Sequence, residues 1–281
     1  MNSPLSNYTE ISNHYSKSGL TQQILEAVAA AGKAIDNLRP DDFKSLDEFH
    51  VRGRQATMEL AQLAGLDKSK HVLDIGSGIG GPSRFLTLNY DCKVTGIDLT
   101  EEYCRLAEFL ADKFGLSERL KYHHGSALDM PFADESFDVI WTQHVAMNIA
   151  EKEKFYQESG RCLKPGGLFV IYDILAGENQ PIHFPVPWAK GQEMSFLATS
   201  AEMKSYLECT GMKILNFQDK TAAGIEWIRT TLEESEKKGR PHLGIHLILG
   251  DESGIMSGNL LRNLIESRVK LIEIIAIKTA P

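Results

Sequence analysis

The sequence predicts an α/β fold: a doubly wound, mostly parallel sheet with helices on both faces and a helical cap. Three observations predict it. From residue 71 to residue 219, short β-prone runs alternate with helical stretches at short intervals. The first run, Val72-Leu73-Asp74-Ile75, leads straight into Gly76, Gly78, Gly80 and Gly81, the pattern of a strand that turns into a helix around a nucleotide. Residues 222–268 then break the alternation, and the chain closes on a strongly β-branched segment, residues 270–280.

In chain order, residues 20–38 carry helical spacing of apolar positions and good helix formers. Arg39-Pro40-Asp41-Asp42 breaks that helix and is suited to cap the next. Residues 46–64 again read as helical apart from Gly53, with Gly65 as the stop. The strands follow as HVLDIG, KVTGIDL, LKYHHGS and FDVIWTQ, then GLFVIYDIL after the turn LKPGG, and MKILNFQD. Helices are predicted at PSRFLTLNY, at TEEYCRLAEFLADKFG with the Thr100 hydroxyl as N-cap, at KEKFYQESGRCL, and at SAEMKSYLECTG ending on Gly211. Residues 222–268 hold two helical stretches, 223–239 and 257–270, around a glycine-rich connection. The organisation expected is therefore an N-terminal helical cap segment (1–68), a core (69–221), a helical cap insertion (222–268) and a final core strand (269–281).

The chain has 281 residues, 42% hydrophobic and 24% charged, with a formal net charge of −8. Such an acidic chain repels phosphate backbones, so nucleic acid is not expected as a partner. The four cysteines, Cys92, Cys104, Cys162 and Cys209, are scattered and fit free thiols in a reducing compartment. The N-terminus has no apolar signal-peptide core, and no apolar run reaches the ~20 residues of a membrane span. A cytoplasmic protein with a small-molecule partner is expected, and the apolar cap helices leave a homodimer open.

The glycines alone fit two nucleotides. Gly76, Gly78 and Gly81 satisfy the dinucleotide pattern, and Gly76, Gly78 and Gly80 a tighter alternating one. Asp98, 22 residues after Gly76, suits ribose hydroxyls in either case. Asp74 separates them. A carboxylate entering this turn would repel a pyrophosphate, whereas S-adenosylmethionine (SAM) has no phosphate and carries an α-ammonium and a sulfonium.

The ordered set D-I-G-S-G-I-G-G, G-I-D-L, S-F-D-V-I-W and L-K-P-G-G resembles the class I SAM-dependent methyltransferases over roughly residues 70–220. The resemblance implies a Rossmann-like seven-stranded sheet with an antiparallel last strand, SAM as cofactor and S-adenosylhomocysteine as its product. It places Asp74, Gly76, Ser77 and Gly78 at the methionyl end, Asp98 at the ribose and Leu99 on the adenine. Ser126 stands where family members often have the acid that reads the adenine, so Ser126 or the Ala127 backbone takes that role, with Asp129 as an alternative. Gln143 and His144 end the fourth strand, at the mouth where ligands bind in such sheets.

Among small-molecule members, the text is most similar to sarcosine/dimethylglycine N-methyltransferases, and also resembles phosphoethanolamine methyltransferases and ubiquinone/tocopherol C-methyltransferases. An amine acceptor is therefore expected first; C- or O-methylation of a quinol or terpenoid and a non-catalytic SAM-binding protein are the alternatives. His144 is the general base or else a polar wall residue. Tyr15 closes over the site, as N-terminal tyrosines do in the phosphoethanolamine enzymes, or simply packs. His50 and Arg52, placed in the helix before the glycine turn, face the pocket or link cap to core. Asn148 is a substrate-side candidate, standing where the phosphoethanolamine enzymes have a histidine. Phe184 and Trp188, in a stiff proline-rich loop, form an aromatic wall for a cationic amine or a hydrophobic plug. No metal is expected, because His242 and His246 lack the zincin glutamate and His123-His124 point to opposite faces of a strand.

Overall fold

The computed structural model describes residues 19–279. Seven strands form one sheet: β1 His71–Ile75, β2 Lys93–Asp98, β3 Leu120–His124, β4 Phe137–Gln143, β5 Leu163–Ala176, β6 Met212–Asp219 and β7 Val269–Lys278, in the order 3-2-1-4-5-7-6. β1–β2, β1–β4, β2–β3 and β4–β5 pair in parallel. Only β7 runs against its neighbours, inserted between β5 and β6. The predicted sheet and its antiparallel last strand are both present.

The helices are α1 Leu20–Ala30, α2 Lys44–Asp47, α3 Gly53–Leu63, α4 Gly81–Tyr90, α5 Glu101–Lys113, α6 Lys152–Cys162, α7 Ser200–Cys209, α8 Thr221–Lys238, α9 His246–Leu249 and α10 Ser253–Ile265. The central strands are apolar at successive positions because both faces are covered. Val72, Val139, Val170 and Leu271 pack into one hydrophobic cluster with Leu60 and Leu86. Their chain neighbours Leu73, Ile140, Ile171 and Ile272 pack into the other with Phe155 and Leu207.

A third cluster lies outside the sheet. Leu20, Ile24 and Val28 of α1, with Phe43 and Leu46, pack against Leu243 and Ile248 from the glycine-rich connection and against Tyr103, Leu106 and Leu110 of α5. Residues far apart in the chain thus share one apolar core above α5.

Several local expectations need correction. The first helix stops at Ala30, followed by Gly32 with φ +70, and only a short 3-10 turn at Ile35–Asn37 remains of the predicted 31–38 segment. The helix expected over 46–64 is two pieces separated at 48–52, with Arg52 and Gly53 both left-handed (φ +69 and +48). His50 and Arg52 therefore sit in a break and not on a helix. Thr100 precedes α5, but its hydroxyl makes no cap. The Asp98 carboxylate takes the Thr100 N–H instead, at 2.9 Å. The second cap helix starts at Ser253, four residues before the predicted 257, and α9 forms inside the connection. Cys92, Cys104, Cys162 and Cys209 are free thiols, the first three buried.

Candidate active site

The order of strands reverses between β1 and β4, and the crevice beyond their carboxyl ends is where open α/β sheets bind ligands. A cavity of about 380 Å³ occupies this place, within the range of small-molecule sites. It is lined by the predicted Asp74, Gly76, Ser77, Gly78, Asp98, Leu99, Ser126, Ala127, Gln143, His144, His50 and Asn148.

The glycine turn is built for close approach. Gly76 and Ser77 donate their N–H groups to Ile97 O at 2.8 and 3.2 Å, tying the turn to the end of β2. Gly76 has φ +71, and a Cβ there would lie 2.3 Å from Val145 Cγ2. Gly80 has φ +82, and a Cβ there would meet the Tyr122 hydroxyl at 2.0 Å. Both positions exclude a side chain by backbone conformation and by space.

Two carboxylates face this turn. Asp74 is buried, and Ser83 Oγ donates to its Oδ2 at 2.5 Å. Burial raises the Asp74 carboxyl to about 7, with the neighbouring Asp98 and Glu48 charges pushing the same way and the Ser83 hydrogen bond opposing. No cationic side chain is paired with it in the described ion pairs, which gives a bound cation a carboxylate to neutralise. Asp98 accepts from Gly78 N at 2.8 Å and Thr100 N at 2.9 Å. Burial raises it as well, against those hydrogen bonds. Ser77 Oγ and His144 Nε2 are buried without a hydrogen-bond partner among the described residues, and both residues line the cavity. Unsatisfied buried polar atoms of this kind mark a place for a ligand. The residues thus fit an adenosyl group with a cationic amino-acid tail.

At the far end of the cavity, Ser126 Oγ accepts from Leu128 N at 3.1 Å, so it braces the turn after β3. Ala127 and Leu128 line the wall there, and Asp129 does not.

The other wall is polar at its base. Gln143 Oε1 accepts from Trp141 Nε1 at 2.9 Å, and Gln143 Nε2 lies 3.0 Å from His50 Nε2. His144 has φ +55, and its ring stacks on Tyr172 with centroids 5.6 Å apart. Burial, and then the neighbouring His50, hold His144 well below the usual histidine range. His50 is lowered by burial too, but Glu48 and the hydrogen bond to Gly53 push it back up. Asn148 reaches the cavity, yet its Nδ2 donates to Trp188 O at 2.7 Å and Met194 O at 3.1 Å. It clamps a loop.

Phe184 and Trp188 are not on the wall. Trp188 is 1% exposed, inside the main core, and donates Nε1–H to Ser195 Oγ at 3.0 Å. Phe184 packs on the same core. The plug reading holds, because an indole whose N–H has a buried partner is stable in the interior. Tyr15 lies outside the described residues.

Sequence reasoning missed the supports. Arg84 is buried on α4 and pairs with Asp47 of α2, which lines the cavity; burial raises Asp47 to about 7 against the Arg84 charge. Lys152 donates to Ala146 O and Ile149 O, both at 2.6 Å. Asp173 accepts from Ala146 N at 3.0 Å and Ile174 N at 2.9 Å. Burial lowers Lys152 to about 8 and raises Asp173 to about 7, each opposed by the other's charge. Together they fix the 3-10 turn Ala146–Asn148 that closes one side of the site. The one available signal was charge at positions with apolar neighbours, as in Tyr172-Asp173-Ile174.

Residues 73–171 match the family described as a methyltransferase domain. These residues form a methyltransferase domain. The chain is 38% identical over 116 residues to a sterol 24-C-methyltransferase (ERG6B) of Gibberella zeae, which is 41% of this chain and 30% of that protein. It is 34% identical over 118 residues to the erythromycin 3''-O-methyltransferase of Saccharopolyspora erythraea, 42% of this chain and 39% of that protein. The chain thus spans well under half the length of these curated relatives. By fold it is similar to a Haemonchus contortus phosphoethanolamine N-methyltransferase 2 in complex with SAM, with TM-score 0.72, 20% identity, and 84% and 55% of the two chains covered. Among the described residues, no helix is long and apolar enough to cross a membrane and no cluster of metal-ligating side chains occurs.

Proposed function

We propose that the chain is a SAM-dependent methyltransferase whose acceptor is a small, largely apolar molecule methylated on oxygen or carbon. Asp74 carries the SAM reading: a buried carboxylate without a cationic side-chain partner among the described residues, at the end of β1, beside a glycine turn that a pyrophosphate would also enter. Bound SAM supplies an electrophilic methyl group on a sulfonium, with a neutral thioether as leaving group. Asp74 then faces the ammonium, Asp98 the ribose hydroxyls, and Leu99 and Ala127 the adenine. The chain's main contribution is to hold the acceptor in line with the methyl group; such orientation is worth up to about 7–11 kcal/mol in favourable cases.

The acceptor reading rests on the wall. Phe49, Tyr103, Val145, Ile149 and Ile248 make most of it apolar, and Phe184 and Trp188, the aromatic wall that a cationic amine would have used, are absent from it. This reverses the sequence-based preference for an amine. The relatives named for sterol carbon and macrolide oxygen acceptors support the same reading. Asp47 and Glu151 on the wall favour an amine as the second reading.

The test has two steps. Ligand-stripped protein is unfolded thermally with SAM, S-adenosylhomocysteine or NADH. A ligand at 100 times its Kd adds about 2.7 kcal/mol, a shift of several degrees. Stabilisation by the two adenosyl-sulfur compounds alone is expected; stabilisation by NADH alone ends the proposal. Methyl transfer from labelled SAM is then compared for sterols, quinols and hydroxylated sugars against sarcosine, dimethylglycine and phosphoethanolamine. Turnover of the amines only moves the acceptor to the second reading.

A further inference from the structure

Two imidazoles share the wall of the cavity, and their surroundings differ. The His50 and His144 ring centroids are 6.1 Å apart, and both rings lie near Tyr172. His144 has no carboxylate against it among the described ion pairs. His50 does: Glu48 Oε2 lies 3.5 Å from His50 Nε2, and the two side chains are only 2% and 3% exposed. Glu48 is itself held, by Thr57 Oγ1 at 3.0 Å and Arg54 Nε at 3.1 Å. Arg54 in turn reaches Asp41 at 2.7 Å.

We propose that His50 takes the acceptor's proton during methyl transfer, that Glu48 is its positioning residue, and that His144 stays neutral and orients the acceptor. This rests on the methyltransferase reading above. His50 Nε2 faces the Gly53 carbonyl at 3.0 Å and the Glu48 carboxylate, which are both pure acceptors. They put the ring proton on Nε2 and leave Nδ1 for the cavity. One contact opposes this: the Trp141 indole can only donate, so it fixes Gln143 Oε1 and turns the Gln143 amide nitrogen toward His50 Nε2. Thr57 Oγ1, 3.2 Å from His50 Nε2, gives its own proton to Glu48 and so presents a second acceptor beside Gly53 O; two acceptors, with the Glu48 carboxylate next to them, outweigh one neutral donor.

The step balances without any other reagent. The acceptor's hydroxyl oxygen, or the carbon of an enol whose hydroxyl gives up the proton, forms the new bond to the methyl carbon. The carbon–sulfur bond breaks, and its electron pair goes to sulfur. The acceptor's proton passes to His50 Nδ1 and later to solvent. The imidazolium so formed keeps its Nε2–H on Gly53 O with Glu48 beside it. A proton on His144 would meet no such charge and would sit next to His50. Arg52, beyond Tyr172, pairs with Glu59 at 2.5 Å and adds no anion to the His144 side. Environments that push two like groups apart in this way assign their roles.

Nitrogen NMR of histidine-labelled protein with S-adenosylhomocysteine reads the tautomer and titration of both rings without needing an acceptor. The Nε2–H tautomer of His50 is expected, with His50 titrating above His144, and Glu48→Gln should lower the His50 midpoint by about one unit. With the best hydroxyl acceptor, His50→Gln should remove the acid limb of the kcat–pH profile and lower kcat by about 10²-fold or more. Glu48→Gln should move that limb, and His144→Gln should leave it in place. An Nδ1–H tautomer, a His50 midpoint that ignores Glu48→Gln, or an acid limb that survives His50→Gln overturns the proposal. Calorimetry separates the two levels: wild-type protein that binds no S-adenosylhomocysteine refutes the methyltransferase reading, whatever the tautomer.

Discussion

Asp74 is a carboxyl that burial holds near neutrality, at about 7, while the unfolded chain's aspartates ionise near 3.9. A cation bound beside it favours the charged form. Ligand binding below pH 7 therefore releases a proton, and affinity rises with pH until the carboxyl is ionised without help. S-adenosylhomocysteine should bind more tightly from pH 6 to pH 8, with buffer-dependent binding heat at pH 6. Asp47 and Asp173 are raised to about 7 as well, so Asp74→Asn is the control. It should abolish the slope and weaken binding by the worth of a charged hydrogen bond, about 1.5–3 kcal/mol. An unchanged slope in Asp74→Asn would remove the ammonium from this position. Gly76 offers a second test. Gly76→Ala forces φ +71 on an alanine, at about 1–2 kcal/mol, and drives its methyl into Val145. Calorimetry should show at least a tenfold loss of S-adenosylhomocysteine affinity; wild-type affinity would mean that the turn has moved freely.

The strands were the most legible elements, because a sheet covered on both faces writes itself as continuous apolar runs between turn residues. Six lie within a residue or two of where the sequence placed them, and β5 starts at Leu163, taking in the residues 163–167 that the sequence reads as a turn; the glycine turn beside Asp74 is also where it was expected. Helices near the site were less legible. The periodicity of residues 46–64 is helical throughout, yet the chain breaks at 48–52. There Glu48 and His50 turn into the interior, and Arg52 accepts a left-handed conformation while pairing with Glu59. Those partners come from other elements, so no local propensity reports them. The turn after β4 belongs to the same class. It stands on Lys152, which holds two carbonyls, and on Asp173, which holds two backbone N–H groups, and leaving a buried donor or acceptor unsatisfied costs about 1–3 kcal/mol. Asp173→Asn should lower Tm by several degrees and weaken S-adenosylhomocysteine binding together, since Val145 and Ile149 line the cavity. A Tm within one degree of wild type would show that Lys152 alone holds the turn.

At the scale of the molecule, the site is closed by an apolar cluster drawn from both sides of the core in sequence. Ile24 and Val28 of α1 pack with Leu243 and Ile248, and Ile248 reaches the cavity wall. Ile24→Ala should therefore raise amide exchange at residues 243–249 as well as in α1, while β1 and β4 keep their protection; such a core truncation costs about 2–5 kcal/mol. Exchange confined to α1 would show that the two sides of the cluster are independent. The sequence by itself determined the sheet, its switch point and the glycine turn with the acids beside it, because these depend on local periodicity, on glycine and on one ordered set of short motifs. The tertiary structure alone decided the opposite wall of the cavity. It sent Trp188 into the core, turned His50 inward against Glu48 and brought Ile248 over the cavity. Which buried polar group meets which partner is set by long-range packing and by the cost of leaving such a group unpaired.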